Sequence, residues 1–515
     1  MKRRCFFMLI SAFAIVFGMV SCGQQTQDYQ SVIPADPVVV VKANVHALLT
    51  KSELLQDNQV AGFAKTAINE MPENTRGIMR EILNDPSNSG LALDKPAFIV
   101  VDNIENMRGF ALFAVSDNEK VKALVDAVDE ETLSVSDEGA YTLVKLGNDN
   151  LAAFDDSKLV VAFAQGAFDV KEYMLAKEGA EKSDELEDFL VSQEDVAYYV
   201  SYNNILRLAE GAVADAFAGM DMEKFKDLKL VCNVNFYPGQ AVMDIGFCGN
   251  DEIEKIYREH VCDANTDLHS FIPAATMALM QAGTKNMGTY IEETVGNNPN
   301  AAILLDEINK SLKKMGVKQE FSWSLLNSLD GSCVFAVSEI DNTAMLPIPQ
   351  MTLLAECKDD KLFAVMVELL QSMGSMVSKT ADNVYNVAGM YYIGYVDNKI
   401  FVMPTSVFKE AYADNSLKVL PVNVASTPVA TSLDGQVGLA VDFQSVAATL
   451  EATGLIRSRS DKALLRLLRK FKGTNYIVND EAEVKWTVTF QDDKTNALKQ
   501  LKDLVITTAI DEAIN

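Results

Sequence analysis

The chain repeats itself. The stretch Val32-Ile33-Pro34-Ala35 opens an apolar run through Val41, and 239 residues on Phe271-Ile272-Pro273-Ala274 opens another through Met280. Leu112 to Lys120 realigns on Leu353 to Lys361 at a shift of 241, and Asp155-Asp156-Ser157-Lys158 on Val396-Asp397-Asn398-Lys399 at the same shift. Between these blocks the apolar positions Val121, Leu124, Val125 and Val128 match Leu362, Val365, Met366 and Leu369 at i, i+3, i+4, i+7. Val196, Val200, Tyr202 and Ile205 fall on Val437, Val441, Phe443 and Val446. A shift that stays in register through strands, turns and helices points to tandem duplication, with one unit at residues 32–262 and the other at 263–515.

Each unit reads as α+β. In the first, a strand over Val38 to Lys42 leads into helices from His46 to Leu83, and a strand pair spans Phe98 to Val115. A helix from Asp117 to Val128 precedes three strands between Tyr141 and Phe163; helix follows near Glu185, then a strand over Val196 to Tyr202 and a helix through Ala216. A hairpin over Leu230 to Cys248 and a short helix from Asp251 close the unit. Strands joined by hairpin-length turns predict a largely antiparallel sheet covered by helices. Around the Pro238-Gly239 turn, Leu230, Cys232, Val234 and Phe236 pair with Phe247, Ile245, Met243 and Ala241, all apolar or cysteine, which predicts one buried face. Val484, Trp486, Val488 and Phe490 repeat that inward row. The same register puts Cys248 on the face opposite Cys232, so no disulfide is expected between them.

The first residues stand outside the fold. Lys2, Arg3 and Arg4 precede an apolar run from Cys5 to Val20, shorter than the roughly 20 residues of a spanning helix. Val20-Ser21-Cys22-Gly23 closes it and resembles the lipobox of bacterial lipoproteins, with Met19 where leucine is commoner. The resemblance implies that residues 1–21 are a signal peptide, that Cys22 is acylated, and that residues 22–31 form a flexible tether keeping the body at its membrane.

The net charge of −27 becomes more negative still once Lys2, Arg3 and Arg4 are removed. Such a field repels phosphate backbones and anionic headgroups, so nucleic acid is not an expected partner. Hydrophobic residues make up 49% of the chain, enough to exclude a disordered acidic tail.

Residues with chemical potential are few. His260, Cys262 and His269, with Asp263 or Asp267, match no common zinc spacing, and no metal or cofactor is expected. His46 lies at a helix start without a partner histidine. Asp155-Asp156, Asp251-Glu252 and Glu185-Glu187 are close carboxylate pairs of the kind that cleave glycosides, but 72 acidic residues make such pairs commonplace. Cys357 aligns with Ser116, and Ser116 with Glu119 has the spacing of a capping box, which places Cys357 at a helix start. Tyr391, Tyr392 and Tyr395, between Gly389 and Gly394, are the densest aromatic group; Tyr391 and Tyr395 share a strand face and are the candidate ligand contacts. No phosphate-loop, zinc-protease, nucleophile-elbow or dinucleotide motif is present.

The lipobox, then Ile33-Pro34-Ala35-Asp36, Val38 to Lys42 and a helix with Leu48-Leu49 and Ser52, is similar to a family of uncharacterised lipoproteins of Bacteroidetes, a domain of unknown function. The resemblance implies export, and Gly23-Gln24-Gln25-Thr26-Gln27, lacking early acidic residues or lysine, implies an outer membrane protein facing the periplasm. The expected role is a non-enzymatic binding or scaffolding module for a protein or glycan partner, using a groove between the two units. The alternative is a carboxylate-dependent glycan hydrolase.

Overall fold

The computed structural model describes residues 29–103, 108–127, 133–146, 149–163, 170–174, 181–202, 226–295, 299–340, 349–433, 435–453, 456–479 and 481–513. Twenty strands pair into one antiparallel sheet, mixed with helices. The first ten are β1 (Val39–Ala43), β2 (Ala97–Asn103), β3 (Arg108–Ala114), β4 (Leu133–Asp137), β5 (Thr142–Leu146), β6 (Asp149–Phe154), β7 (Lys158–Phe163), β8 (Val196–Ser201), β9 (Lys229–Tyr237) and β10 (Gln240–Cys248). They lie in the order 4-5-6-7-3-2-1-8-9-10.

The next strands are β11 (Thr276–Thr284), β12 (Leu329–Ile340), β13 (Pro349–Cys357), β14 (Val377–Ala381), β15 (Val384–Val387), β16 (Tyr391–Val396) and β17 (Lys399–Pro404). After a separate small hairpin, β18 (Tyr412–Ala413) with β19 (Ser416–Leu417), come β20 (Val437–Asp442), β21 (Phe471–Val478) and β22 (Val484–Phe490). Their order is 14-15-16-17-13-12-11-20-21-22, place for place that of the first ten. The two sets join where β10 pairs with β22, Met243 opposite Trp486. They therefore meet edge to edge, not across a groove.

One face of this sheet carries the two main cores. Val40, Phe98, Val100, Phe110, Leu112 and Tyr199 pack under the helix Asp184–Val191 and the turn Tyr29–Val32. Leu279, Val334, Leu354, Phe401 and Ala440 do the same under helices Thr405–Ala411 and Pro428–Thr431. Each fully buried apolar side chain contributes roughly 1.5–3 kcal/mol, so these rows hold the sheet to its helices. Lys42 lies in the first core with 1% of its surface exposed. Its Nζ donates to the carbonyls of Phe189 (2.5 Å) and Ser192 (2.8 Å) at the end of the helix Asp184–Val191, where unpaired carbonyls favour a cation. Burial pulls this ammonium down to about 8, against a smaller upward effect of Glu194.

Two helices cross the joint in opposite directions. The helix Ala497–Ala513, which follows β22, packs on the helix Val45–Ser52 and on β9 and β10. Lys502 Nζ lies 2.6 Å from Asp57 Oδ2, Lys499 pairs with Glu53, and Asn496 Nδ2 donates to Phe236 O at 3.0 Å. Reciprocally, the helix Asp251–His260, which follows β10, packs on the helix Met287–Val295. There His260 Nε2 is 3.2 Å from Glu293 Oε2 and its ring meets Tyr290 at 5.4 Å. Gly239, at φ +70°, lets the β9–β10 turn approach the second set; a Cβ there would sit 2.6 Å from Asp493 Cα.

Several sequence expectations need correcting. Pairing around Pro238-Gly239 follows the expected register, with Cys232 opposite Ile245 and Cys248 opposite Lys229, and both cysteines are free. The apolar row is not wholly buried, however: Phe247 and Trp486 are 44% and 43% exposed, because no helix among the described residues covers them. Asp117, not Ser116, caps the helix Asn118–Asp126, through Lys120 N; Ser116 Oγ instead donates to Gly90 O. Cys357 ends β13 rather than starting a helix, its thiol pushed up chiefly by burial. Tyr29, placed in the tether by its polar neighbours, is buried, its hydroxyl donating to Pro96 O at 2.8 Å. Strand β4 and the β18–β19 hairpin were not expected, being short and half polar. The helix expected through Ala216 and the position Val128 lie outside the described residues.

Candidate functional site: an open apolar face

Among the described residues, the second face of the sheet carries a helix-covered core near each of its two ends. Near β5 to β7, Val144, Ala152, Phe154 and Leu159 pack with Val121 of the helix Asn118–Asp126. Near β15 to β17, Tyr385 and Ile400 pack with Phe363 and Leu370 of the helix Lys361–Ser372. Between them the middle strands present two apolar rows. One runs Ile99, Val41, Tyr198, Cys232, Ile245, Val484 in register from β2 to β22. The other runs Val234, Met243, Trp486, Tyr476, Leu439, Met280, Phe335 from β9 to β12.

Cys232 and Val484 are buried, and the other positions in these rows range from half-buried to exposed. Ile99 and Met280 are each 48% exposed, and Tyr198, Tyr476, Leu439 and Met351 belong to the same exposed set. An antiparallel sheet with one solvated face ordinarily alternates apolar with polar along each strand. Here β2 and β12 are apolar on both faces, whereas across the joint the opposite face carries Asn233, Asn235, Asp244, Lys485 and Thr487, the ordinary alternation. The polar atom of Trp486 is satisfied internally, its Nε1 donating to Thr474 Oγ1 at 2.7 Å, while the Thr474 hydroxyl donates to Thr487 O at 2.8 Å. The indole is thus held in one orientation with its apolar surface free.

The residues singled out from sequence lie elsewhere. Cys22 is outside the described residues. Tyr391 and Tyr395 do share a face of β16, at the outer end of the sheet, and both are half-buried. Tyr395 stacks on Phe363 at 5.8 Å and sets its hydroxyl 3.2 Å from Asn398 Oδ1, while Tyr392 on the other face stacks on Phe408 at 3.9 Å. His46 is half-buried at the start of the helix Val45–Ser52, while His260 and His269 are buried; burial lowers the pKa of His269, partly offset by a hydrogen bond to Gln281. Among the described residues no group of three His, Cys, Asp or Glu is placed to hold a metal.

Of the carboxylates named from sequence, Glu185, Asp155 and Asp156 are engaged locally. Glu185 lies 2.8 Å from Lys229, whose hydrogen bond draws it down to about 2. Burial raises Asp155, but hydrogen bonds from Ser157 and Lys158 outweigh it, so this acid holds its own turn. Asp156 accepts from Asn118 Nδ2 at 2.7 Å. Asp251 is exposed at the start of its helix, and the Glu252 side chain lies outside the described residues. One acid overlooked in the sequence, Asp244, has a raised pKa, mainly from burial and against the pull of Lys485 opposite it. A shallow hollow lined by Val45, Leu91, Leu93, Pro96 and Phe113 has a volume of about 10 Å³, room for about one water and far too small for a ligand.

These features define a protein of mixed helix and strand with a large antiparallel sheet, in which no described helix is long and apolar enough to cross a membrane. The chain belongs to the family described as domain of unknown function (DUF4836), whose pattern matches residues 29–415. No curated protein matches it. Solved structures of TP0453 are similar at a low level: crystal form I at 10% identity and a TM-score of 0.27, over 46% of this chain and 86% of that one. Crystal form III gives 9% identity and a TM-score of 0.26, over 47% and 88%. A likeness of that size carries no inference about function.

Proposed function

We propose that this protein is a non-enzymatic binding or scaffolding module of the cell envelope, and that it takes its apolar ligand or partner on the open middle face of the sheet. The observation that carries this reading is the pair of half-open apolar rows through Tyr198, Met243, Trp486, Tyr476, Leu439 and Met280. An apolar patch of this kind on a sheet otherwise closed by helices marks an interaction surface. The two strand sets of equal order support descent from one unit by tandem duplication, at residues 32–262 and 263–515. The Val20-Ser21-Cys22 sequence supports acylation of Cys22, with residues 1–21 a signal peptide and the body held at the outer membrane, facing the periplasm.

Two measurements test this. Cys22→Ser releases the protein from the membrane fraction of the cell if the cysteine is the anchor; retention sinks the anchor. Fluorescence of 1-anilinonaphthalene-8-sulfonate rises on the native chain and falls several-fold in Trp486→Ser with Tyr476→Ser, while Ile303→Ser, exposed on the helix Pro299–Lys314, leaves it unchanged. Equal dye binding by all three chains removes the face from consideration. The hydrolase reading rests on Asp244 alone, the acid with a raised pKa. It requires Asp244→Asn to abolish glycan cleavage that the native chain performs.

A further inference from the structure

We propose that the helix Arg459–Leu468 is an interfacial element that docks the protein on an anionic lipid surface, independently of the apolar sheet face and of any anchor. The chain is acidic overall, at −27, yet between Arg457 and Lys472 it carries seven basic residues against a single acid, Asp461. That acid is consumed locally. Ser458 and Asp461 form a reciprocal capping box, the Asp461 N–H donating to Ser458 Oγ at 3.0 Å and the Ser458 N–H donating to Asp461 Oδ2 at 2.9 Å.

Among the described residues the helix is seated on the body through Leu465. Leu465 is buried, and the helix packs on its neighbour Phe443–Ala452, where Arg469 pairs with Glu451. Beside it, Leu464 and Leu467, at i and i+3, are 52% and 41% exposed. Lys462, Arg466 and Lys470, at i, i+4 and i+8, form an exposed basic row beside them. An exposed apolar stripe flanked by a row of lysine and arginine is the arrangement of a helix lying in the plane of a membrane interface, leucines among the acyl chains and cations at the headgroups. Nucleic acid would use the cations but leave the leucines in water.

The negative body does not forbid this contact. At physiological salt the screening length is about 8 Å, so the surface feels the nearest charges and little of the remainder. Each lysine or arginine near an anionic surface strengthens binding about five-fold, and loss of three weakens it on the order of a hundredfold.

The test uses the chain from Gly23 to Asn515, which keeps every described residue and carries no acyl group. It is sedimented with vesicles of phosphatidylcholine, with and without phosphatidylglycerol. The expected result is binding to the anionic vesicles only, released by salt and lost on the order of a hundredfold in K462Q/R466Q/K470Q. Because those three side chains are exposed, circular dichroism of the triple variant should match the parent. Leu464→Trp adds a second readout: its emission shifts to the blue on anionic vesicles. Three outcomes overturn the proposal: no binding to the anionic vesicles, equal binding to phosphatidylcholine alone, or full binding by the triple variant. Binding of polyglutamate through the same three residues, with vesicles ignored, also overturns it and identifies an acidic protein as the partner.

Discussion

Lys502 closes on Asp57 at 2.6 Å across 445 residues of chain, and both side chains are largely shielded from water. The other oxygen of Asp57 accepts from Gln59 N and Val60 N and caps the helix Asn58–Asn69, so one carboxylate starts a first-half helix and receives a second-half lysine. The Lys502 hydrogen bond is the largest influence holding Asp57 below its usual range. Lys502→Met should lower stability by about 1–3 kcal/mol in urea denaturation at neutral pH. The sign with acid is fixed: a depressed carboxylate stabilises above its unfolded value and loses that contribution as pH falls through the folded one. The difference between parent and Lys502→Met should therefore shrink in acid; a constant difference would show that the pair contributes only packing.

Lys42 should make stability climb with alkali. The folded chain gives up this proton at about 8 and the unfolded chain near the ordinary 10.5. Between those values the unfolded state binds more protons, so the stability of the parent relative to Lys42→Met rises with pH, by up to about 3 kcal/mol. Parallel urea titrations of both chains from pH 7.5 to about 10.5 check it. A flat difference would mean that the carbonyls of Phe189 and Ser192 keep the ammonium charged throughout.

Gly239→Ala should be costly for two reasons that act together. The residue sits at φ +70°, and its new methyl would meet the Asp493 backbone at 2.6 Å. A loss of about 1–3 kcal/mol is expected, read as a lower midpoint in thermal unfolding. Gly139, at φ +85° with open space around it, is the control that isolates the backbone part. Equal losses at both positions would show that the approach to Asp493 adds nothing.

The thiols of Cys232, Cys248, Cys262, Cys333 and Cys357 are all free. Burial pushes Cys333 furthest, up to about 12. Since the thiolate is the reactive form, Cys333 should be the last of the five labelled by iodoacetamide at pH 8 and should react readily only in denaturant. Peptide mapping after timed labelling decides this, and early labelling of Cys333 would show that burial does not hold its thiol protonated.

The strands were legible because their pattern is local. β-branched runs such as Val38 to Val41 and the turn at Pro238-Gly239 announce themselves, and the 240-residue shift brings Val41 and Met280 to equivalent places in the sheet. What stood outside that reach were properties of assembly. Nothing near Trp486 or Phe247 in sequence says that no described helix will cover them, since an apolar alternation looks the same on a buried face and on an open one. Lys42 reads as the polar end of a strand, and only the tertiary placement of Phe189 and Ser192 buries it. Net charge misled in a further way. The total of −27 conceals the basic run from Arg457 to Lys472, because an average over the chain says little about any one helix.

The exchange of closing helices across the β10–β22 joint changes what a cut can do. Proteolysis between His260 and β11 would not release two free bodies. The amino-terminal fragment would still carry Asp251–His260 seated on its neighbour, and the carboxy-terminal fragment would keep Ala497–Ala513 seated in return. A nicked chain should migrate as one particle until denatured, so mass under native conditions and mass in detergent would tell different stories about the same sample.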